Sequence, residues 1–229
     1  MFDSKHLRRL SAVPSGPGVV EPKKNPWLEI PARDYERHMG SDTVRQLAFL
    51  NSVFKQVMDQ HRPRSVLILG CATGNGLEHV DPGVTKQVVG IDINEEYLKR
   101  AESRYRRALP QLELRCCDLF ECRMGPGTFD LIFGGLFFEY VDPHRAIPRV
   151  SEWLTCTGVL VTVLQLPSRG KAKVTKTAYP SLRVLASIMK LWDPAHFRAI
   201  CESNHLVLRE ARTETLSTGK SFYLGQYSP

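Results

Sequence analysis

The sequence lacks the features of a membrane protein, of a zinc protein and of a secreted disulfide scaffold. No apolar run approaches the roughly 18 residues that a membrane span requires, and no signal peptide is evident. The six cysteines include no CxxC pair, and no pair of histidines completes a zinc pattern. We therefore predict reduced thiols, a cytoplasmic location, no metal site and no membrane association.

Positive charge exceeds negative charge, but the basic residues are not confined to one part of the chain. The net charge is +7, but Lys and Arg are spread along the 229 residues. This distribution favours a mildly basic soluble enzyme, with nucleic acid and anionic lipid as disfavoured alternative partners. The length and the hydrophobic content of 42% suit one α/β domain with an N-terminal extension.

One stretch, residues 66–76 with the sequence VLILGCATGNG, combines an apolar run with a glycine-rich turn. A continuous apolar run stopped by glycines is typical of a strand buried on both faces of a parallel sheet. The glycines allow a sharp turn and the close approach of a ligand. The next strand, QVVGID, ends in Asp92, 18 residues after Gly74. An acidic residue about 20 residues on binds ribose hydroxyls in such folds, so the pattern predicts a nucleotide-type site.

These two segments resemble the class I S-adenosylmethionine-dependent methyltransferases. The first motif of that family reads approximately hh(D/E)hGxGxG, and its next strand ends in an acidic residue. Gly70 and Gly74 match the outer glycines. Ala72 replaces the middle glycine, which is tolerable if its φ stays negative. Ile68 stands where the family usually has an acidic residue near the methionyl amine.

The resemblance implies S-adenosylmethionine as the cofactor and assigns roles to the residues that would hold it. Asp92 would accept both ribose hydroxyls, and the glycine turn would lie against the methionyl part. Asp118 would accept from the adenine amino group, with Ile93 and Leu119 on the two faces of the ring. The complete set of predicted cofactor-binding residues is Gly70, Cys71, Ala72, Gly74, Asp92, Ile93, Asp118, Leu119 and Gly134.

The resemblance also implies a division of the chain into three parts. Residues 1–26 are basic and proline-rich and are predicted to form a flexible arm. Residues 27–42 mix aromatic and titratable side chains and would form a lid over the site, which makes Tyr35 and His38 candidate substrate-binding residues. Alternatively, the aromatic residues pack on the sheet edge and His38 is solvated. The methyltransferase domain would occupy residues 43–229.

The resemblance implies a Rossmann-like fold: an open, mostly parallel seven-stranded sheet with helices on both faces and a C-terminal antiparallel strand pair. The helical pattern over 42–61 predicts a helix capped by Ser41 or Asp42. A further helix is expected in GGLFFEYV, after the strand FDLIFG. Other predicted helices span 94–109, 143–154, 179–191 and 194–204, and other predicted strands span 112–116, 158–166, 206–216 and 221–227.

The sequence shows no fixed catalytic residue, as expected where the methyl group of the cofactor is already activated. Such a protein mainly aligns the reactants and excludes water, and it needs a base only if the nucleophile must lose a proton. His38, Glu139 and Tyr140 are catalytic hypotheses. A surface position on a helix is the favoured alternative for Glu139. The basic loop 168–177 could attract an anionic substrate, although such charges are usually solvated.

We therefore predict methyl transfer from S-adenosylmethionine to a small-molecule acceptor with an oxygen, nitrogen or sulfur nucleophile. A NAD-dependent oxidoreductase is an alternative, but Asn75 stands where GxGxxG requires glycine. A nucleic-acid methyltransferase is another, but GGLF stands where amino-directed base methylation commonly uses (N/D/S)PP(Y/F/W). A third is a non-catalytic S-adenosylmethionine-binding protein, which Ile68 and Ala72 favour.

Overall fold

The computed structural model describes residues 25–229, and the predicted arm of residues 1–26 lies almost entirely outside that range. The strands are β1 Ser65–Leu69, β2 Gln87–Asp92, β3 Leu112–Cys116, β4 Phe129–Gly135, β5 Leu154–Gln165, β6 Val207–Thr215 and β7 Ser221–Ser228. The α-helices are α1 Ala32–Gly40, α2 Gln46–His61, α3 Glu95–Tyr105, α4 Pro143–Trp153, α5 Leu185–Ile188 and α6 Pro194–Glu202. Short 3-10 helices span Pro26–Glu29, Leu77–His79 and Pro180–Val184.

The seven strands form one sheet in the order β3-β2-β1-β4-β5-β7-β6. The first five strands pair in parallel, and β7 lies antiparallel between β5 and β6. The predicted fold class is therefore confirmed. The strand order reverses direction between β1 and β4, whose ends Leu69 and Gly134 lie side by side. Open α/β sheets bind their ligands at such a reversal, outside the carboxyl ends of the strands.

Two apolar layers cover the sheet because the side chains of each strand alternate between its faces. Val66 and Ile68 of β1 face the layer that contains α2 and α3. Leu67 and Leu69 face the layer that contains α4 and α6. These residues are all under 9% exposed, so the apolar run of β1 is buried on both sides, as expected of a central parallel strand.

The helix predicted over 42–61 begins four residues late. α2 starts at Gln46, and no side chain caps it. Instead, the backbone N–H groups of Val44 and Arg45 donate to the carbonyl of Ser41 in a turn, and Arg45 has a left-handed φ of 55°. The predicted cap at Ser41 or Asp42 is therefore wrong, because the chain bends once more before the helix starts.

Two other helical predictions are also wrong. Residues 136–142 form turns rather than a helix, and Leu136 has a φ of 56°. The helix predicted over 179–191 is reduced to the 3-10 turn Pro180–Val184 and the four residues of α5. Strand β5 begins at Leu154, four residues before its predicted start at Gly158.

The structure joins Cys117 to Cys122 in a disulfide, which corrects the prediction that all thiols are reduced. The remaining cysteines are Cys71, Cys116, Cys156 and Cys201, which are free. Cys117 and Cys122 bracket the loop after β3. Sequence spacing alone did not identify the pair, because only the fold of this loop brings the two residues together.

Candidate functional site

A cavity of about 360 Å³ lies along the carboxyl edge of the sheet. It extends from the ends of β2 and β3 to the region where β5 ends and β7 begins. Of the nine predicted cofactor-binding residues, six line it: Gly70, Ala72, Asp92, Ile93, Asp118 and Leu119. Cys71, Gly74 and Gly134 do not line it. The volume lies within the usual range of small-molecule sites, about 300–1,000 Å³.

Asp92 is held at the end of β2 by two backbone hydrogen bonds. Its Oδ2 accepts from the N–H of Ala72 at 2.9 Å, and its Oδ1 accepts from the N–H of Asn94 at 2.9 Å. Burial raises the pKa of Asp92 to about 6, although the backbone hydrogen bonds act to lower it. Each carboxylate oxygen can accept a second hydrogen bond, so this group can still bind a vicinal diol.

The glycine turn differs in detail from the predicted one. Ala72 has a positive φ of 46°, so the negative φ under which an alanine would be tolerable at this position is not observed. A Cβ at Gly74 would lie 2.9 Å from side-chain atoms of both Leu77 and Tyr105. Packing behind the turn, together with a φ of +83°, therefore requires glycine at position 74, and no ligand contact is needed to explain it.

The other two predicted residues outside the cavity also face the interior of the protein. Cys71 is buried and packs over Gly90 of β2. A Cβ at Gly134 would lie 2.9 Å from the ring of Phe138, so this glycine also makes room for a protein side chain. Neither Cys71 nor Gly134 lines the cavity, so a cofactor role for either residue stays a prediction.

The loop after β3 contributes the carboxylate of Asp118 and the apolar side chain of Leu119. Both lie on the side of Asp92 that faces away from the glycine-rich turn. Oδ1 of Asp118 accepts from the N–H of Phe120 at 2.8 Å, and no hydrogen bond joins Oδ2 to another residue in the range 25–229. Leu119 is 3% exposed and belongs to the core. The guanidinium of Arg145 lies 4.1 Å from the ring centroid of Phe120 and covers the same end of the cavity.

The segment 27–40 covers the cavity from above the sheet. Trp27, Tyr35, His38 and Met39 contribute to its lining. The ring of Trp27 meets the rings of Tyr140 and Tyr35 edge-on, at centroid distances of 5.0 and 6.2 Å. Nδ2 of Asn94, which follows β2, donates to the carbonyl of Trp27 at 2.8 Å. The segment therefore contacts both the nucleotide-type end and the opposite end of the cavity.

His38 is 4% exposed, so the alternative of a solvated histidine is wrong. Its Nδ1 lies 2.9 Å from Oγ1 of Thr177. Burial, and then the charge of Lys220, lowers the pKa of His38 to about 4. The imidazole is therefore neutral near pH 7.

Glu139 is 1% exposed and lies in a turn, so its favoured interpretation as a surface residue on a helix is wrong. Its Oε1 accepts from the backbone N–H of Gln165 at 2.6 Å, while its Oε2 is buried without a partner among the described residues. Burial raises the pKa of Glu139 to about 7. Glu139 does not line the cavity, whereas its neighbour Tyr140 does.

The polar lining residues that the sequence did not single out as site residues include Gln46, Gln165 and Lys220. Oε1 of Gln165 accepts from Nε2 of Gln46 at 3.3 Å and from Nζ of Lys220 at 3.3 Å. The predicted C-terminal antiparallel strand pair could have indicated that Lys220 lies at this site. A strand antiparallel to β5 begins at the edge where β5 ends, and Gln165 pairs with Phe222 in the observed register.

Within residues 25–229, no group of three or more His, Cys, Asp or Glu side chains could hold a metal ion. No helix in the same range is both long enough and apolar enough to cross a membrane.

The fold and the site together define a Rossmann-like α/β protein with a nucleotide-type cavity at the strand reversal. Residues 66–158 match the family model of a methyltransferase domain. Over that range the chain is similar to methyltransferase domains, and its fold is the Rossmann-like fold of the class I S-adenosylmethionine-dependent methyltransferases. Both findings agree with the predicted enzyme class and with S-adenosylmethionine as its cofactor.

Solved structures share the fold at low sequence identity. Magnesium protoporphyrin IX methyltransferase from Synechocystis PCC 6803, with bound SAH, has a TM-score of 0.65 at 16% identity over 86% of this chain and 93% of that chain. The N-methyltransferase NodS from Bradyrhizobium japonicum WM9, in complex with S-adenosylhomocysteine, has a TM-score of 0.63 at 17% identity over 86% and 96%. The cyclase SpnF has a TM-score of 0.62 at 13% identity over 78% and 80%. No curated protein matches the chain significantly.

Proposed function

We propose that the protein transfers the methyl group of S-adenosylmethionine to a small-molecule acceptor that lies beneath the segment 27–40. One observation carries this proposal: a single cavity joins Asp92 to a compartment enclosed by side chains from separate parts of the chain. Trp27, Tyr140, Leu182 and Met189 contribute to this enclosure. A partly enclosed, mostly apolar compartment suits a small metabolite better than a macromolecule, which would need a wide open groove.

The sheet order supports the placement of the two ligands. Adjacent strands lie about 4.8 Å apart, so the ends of β2 and β5 are roughly 14 Å apart along the edge of the sheet. We place the adenosine at β2 and β3, where Asp92 accepts from the ribose and the free oxygen of Asp118 accepts from the adenine. The backbone at Gly70 and Ala72 would lie against the methionyl part, and the acceptor would lie above β4 and β5.

S-adenosylmethionine supplies an activated methyl group, so the residues of this chain would mainly orient the acceptor and exclude water. Trp27 and Tyr140 form an aromatic wall that keeps solvent from the compartment. His38 is a candidate base because its imidazole is neutral near pH 7. A base is needed only for an acceptor that must lose a proton, and His38 would then accept that proton. Burial raises the pKa of Tyr140, so its hydroxyl stays protonated and would hold the nucleophile by a hydrogen bond. Glu139 drops out of this proposal because it does not reach the cavity.

Titration with S-adenosylhomocysteine and with NAD tests the cofactor part of the proposal. S-adenosylhomocysteine at 100 times its dissociation constant should raise the free energy of unfolding by about 2.7 kcal/mol, and NAD should leave it unchanged. Asp92→Ala should weaken S-adenosylhomocysteine binding at least tenfold. Asp59→Ala is the matched control, because Asp59 pairs with Lys55 on the exposed face of α2. Binding of NAD alone, or unchanged affinity in Asp92→Ala, would contradict the proposal.

Cofactor binding alone does not establish methyl transfer, since the structurally similar SpnF is described as a cyclase. Transfer of a labelled methyl group from S-adenosylmethionine to a component of a small-metabolite extract tests the reaction itself. We expect labelled product in the low-molecular-mass fraction. A protein that binds the cofactor and labels nothing would be the non-catalytic alternative.

A cytoplasmic location also stays a proposal, and the Cys117–Cys122 disulfide argues against it, because such bonds are rare in reducing compartments.

A further inference from the structure

Lys220 is a buried cation at the acceptor end of the cavity. The residue is 4% exposed and lies immediately before β7. Its Nζ donates to the carbonyl of Lys173 at 2.7 Å and to Oε1 of Gln165 at 3.3 Å. An ammonium group has three donors, so one remains for a ligand in the cavity that Lys220 lines.

No carboxylate compensates this charge within the described part of the chain. None of the ion pairs formed by residues 25–229 includes Lys220. Burial alone lowers the pKa of Lys220 to about 8. A buried charge without an opposite charge is costly, so proteins seldom keep one without a use.

The neighbouring polar groups do not supply a negative charge either. Gln46 and Gln165 offer neutral amides, and His38 is a neutral imidazole whose pKa the Lys220 charge helps to lower. The rest of this compartment is mostly apolar and aromatic, with Leu50 and Tyr140 among its lining residues. The side chain of Lys173 also lines it, and its Nζ donates to the carbonyl of Met189 at 2.9 Å. The acceptor compartment therefore combines an apolar wall with the buried, uncompensated positive charge of Lys220.

We propose that the methyl acceptor carries an anionic oxygen group, such as a carboxylate, on an apolar body, and that this group pairs with the ammonium of Lys220. The inference rests on the proposed function and names the substrate class of the same site. Asp92 and Lys220 lie at opposite ends of the cavity, about four strand spacings or roughly 19 Å apart. The anionic group would thus lie at the end away from the adenosine and would direct the acceptor toward the methyl group.

Binding of matched acids and amides to the S-adenosylhomocysteine complex tests this proposal. The probes are phenylacetate, indole-3-acetate and octanoate, each compared with its primary amide by calorimetry at pH 7. At least one acid should bind about 10- to 100-fold more tightly than its amide, since hydrogen bonds to charged groups are the stronger kind. Equal affinities of acid and amide in all three pairs, or no binding of any acid, would overturn the proposal.

Lys220→Met removes the charge while it keeps most of the side-chain volume. The preference for acids should disappear in this variant, and the affinity for S-adenosylhomocysteine should not change. Lys99→Met is the matched control, because Lys99 lies on the exposed face of α3 and pairs there with Glu95. A preference for acids that persists in Lys220→Met would refute the assignment.

A second measurement covers the case in which Lys220→Met does not fold. In the unaltered protein, the dissociation constant of the acid should rise about tenfold per pH unit once Lys220 is deprotonated above about pH 8. A constant affinity between pH 7 and 10 would count against the pairing. Failure of the cofactor site is recognised separately, because S-adenosylhomocysteine itself would then not bind.

Discussion

At Asp92, burial and backbone hydrogen bonding act on the carboxyl group in opposite directions. Burial dominates and brings the pKa to about 6, so the group titrates just below neutral pH. The ribose hydroxyls would bind the charged form, which has more free acceptor positions. We therefore predict that the dissociation constant of S-adenosylhomocysteine rises about tenfold per pH unit below pH 6 and is constant above it. Calorimetry between pH 5 and 8 measures this profile.

The variant Asp92→Asn is the control for that profile. Its affinity should be lower throughout and independent of pH, because the titrating group is absent. If the unaltered protein bound S-adenosylhomocysteine equally well at pH 5 and pH 8, Asp92 would not be the group that contacts the ribose.

Glu139 is a second buried carboxyl group, and it makes a prediction about stability. Its pKa rises from 4.5 to about 7 on folding, so the folded protein binds a proton between these values that the unfolded chain releases. The free energy of unfolding should therefore fall as the pH rises from about 4.5 to 7, and the Glu139 part of this loss is about 3 kcal/mol.

The variant Glu139→Gln isolates the contribution of this residue. It should lack that part of the slope, while S-adenosylhomocysteine binding should be unaffected because Glu139 does not line the cavity. Denaturant unfolding of both proteins at pH 5, 6 and 7 provides the comparison. Parallel slopes for the two proteins would show that Glu139 is not protonated in the folded state.

At the scale of elements, one side chain couples helix α3 to the segment that covers the cavity. Oδ1 of Asn94 accepts from the N–H groups of Glu96 and Tyr97 at 3.0 and 3.3 Å and so caps the helix. Its Nδ2 donates to the carbonyls of Trp27 and Ile30 at 2.8 and 3.4 Å. The cofactor end and the covering segment are therefore joined through a residue two positions after Asp92.

Two variants of Asn94 separate these functions. Asn94→Ser keeps a capping oxygen but cannot replace the amide donor, whereas Asn94→Ala loses both. We predict that both variants release S-adenosylhomocysteine faster and exchange the amide hydrogens of residues 27–40 faster. Only Asn94→Ala should lose a further 1 kcal/mol or so of stability from the missing cap. Unchanged exchange in Asn94→Ser would show that the segment is held by its other contacts.

At the scale of the whole molecule, the net charge of +7 permits contact with nucleic acid, but the enclosed cavity favours a small acceptor. We predict that total RNA neither competes with S-adenosylhomocysteine nor receives a labelled methyl group. Any RNA binding should be weak and should vanish with added salt, as expected of non-specific contacts to phosphates. Salt-resistant RNA binding together with labelled RNA would favour the nucleic-acid alternative.

The fold class and the strands that border the candidate cofactor site could be predicted from the sequence, through local patterns and a family resemblance. The glycine-rich turn after β1 and the acidic end of β2 depend on patterns of neighbouring residues, and the observed strands follow them closely. Helix boundaries were predicted less well. The start of α2 and the turns around Leu136 depend on backbone conformations that contacts elsewhere in the chain stabilise, and no local pattern reports those contacts.

The acceptor side of the site could not be predicted in the same way. His38 meets Thr177 across 139 residues, and Lys220 meets Gln165 across 55. Burial also depends on what packs around a residue, so only the structure distinguished a surface Glu139 from a buried one. The sequence by itself determined the fold and the cofactor end, because these depend on local periodicity and turn chemistry. Only the tertiary structure decided the charge and shape of the acceptor compartment, because its walls come from segments far apart in the chain.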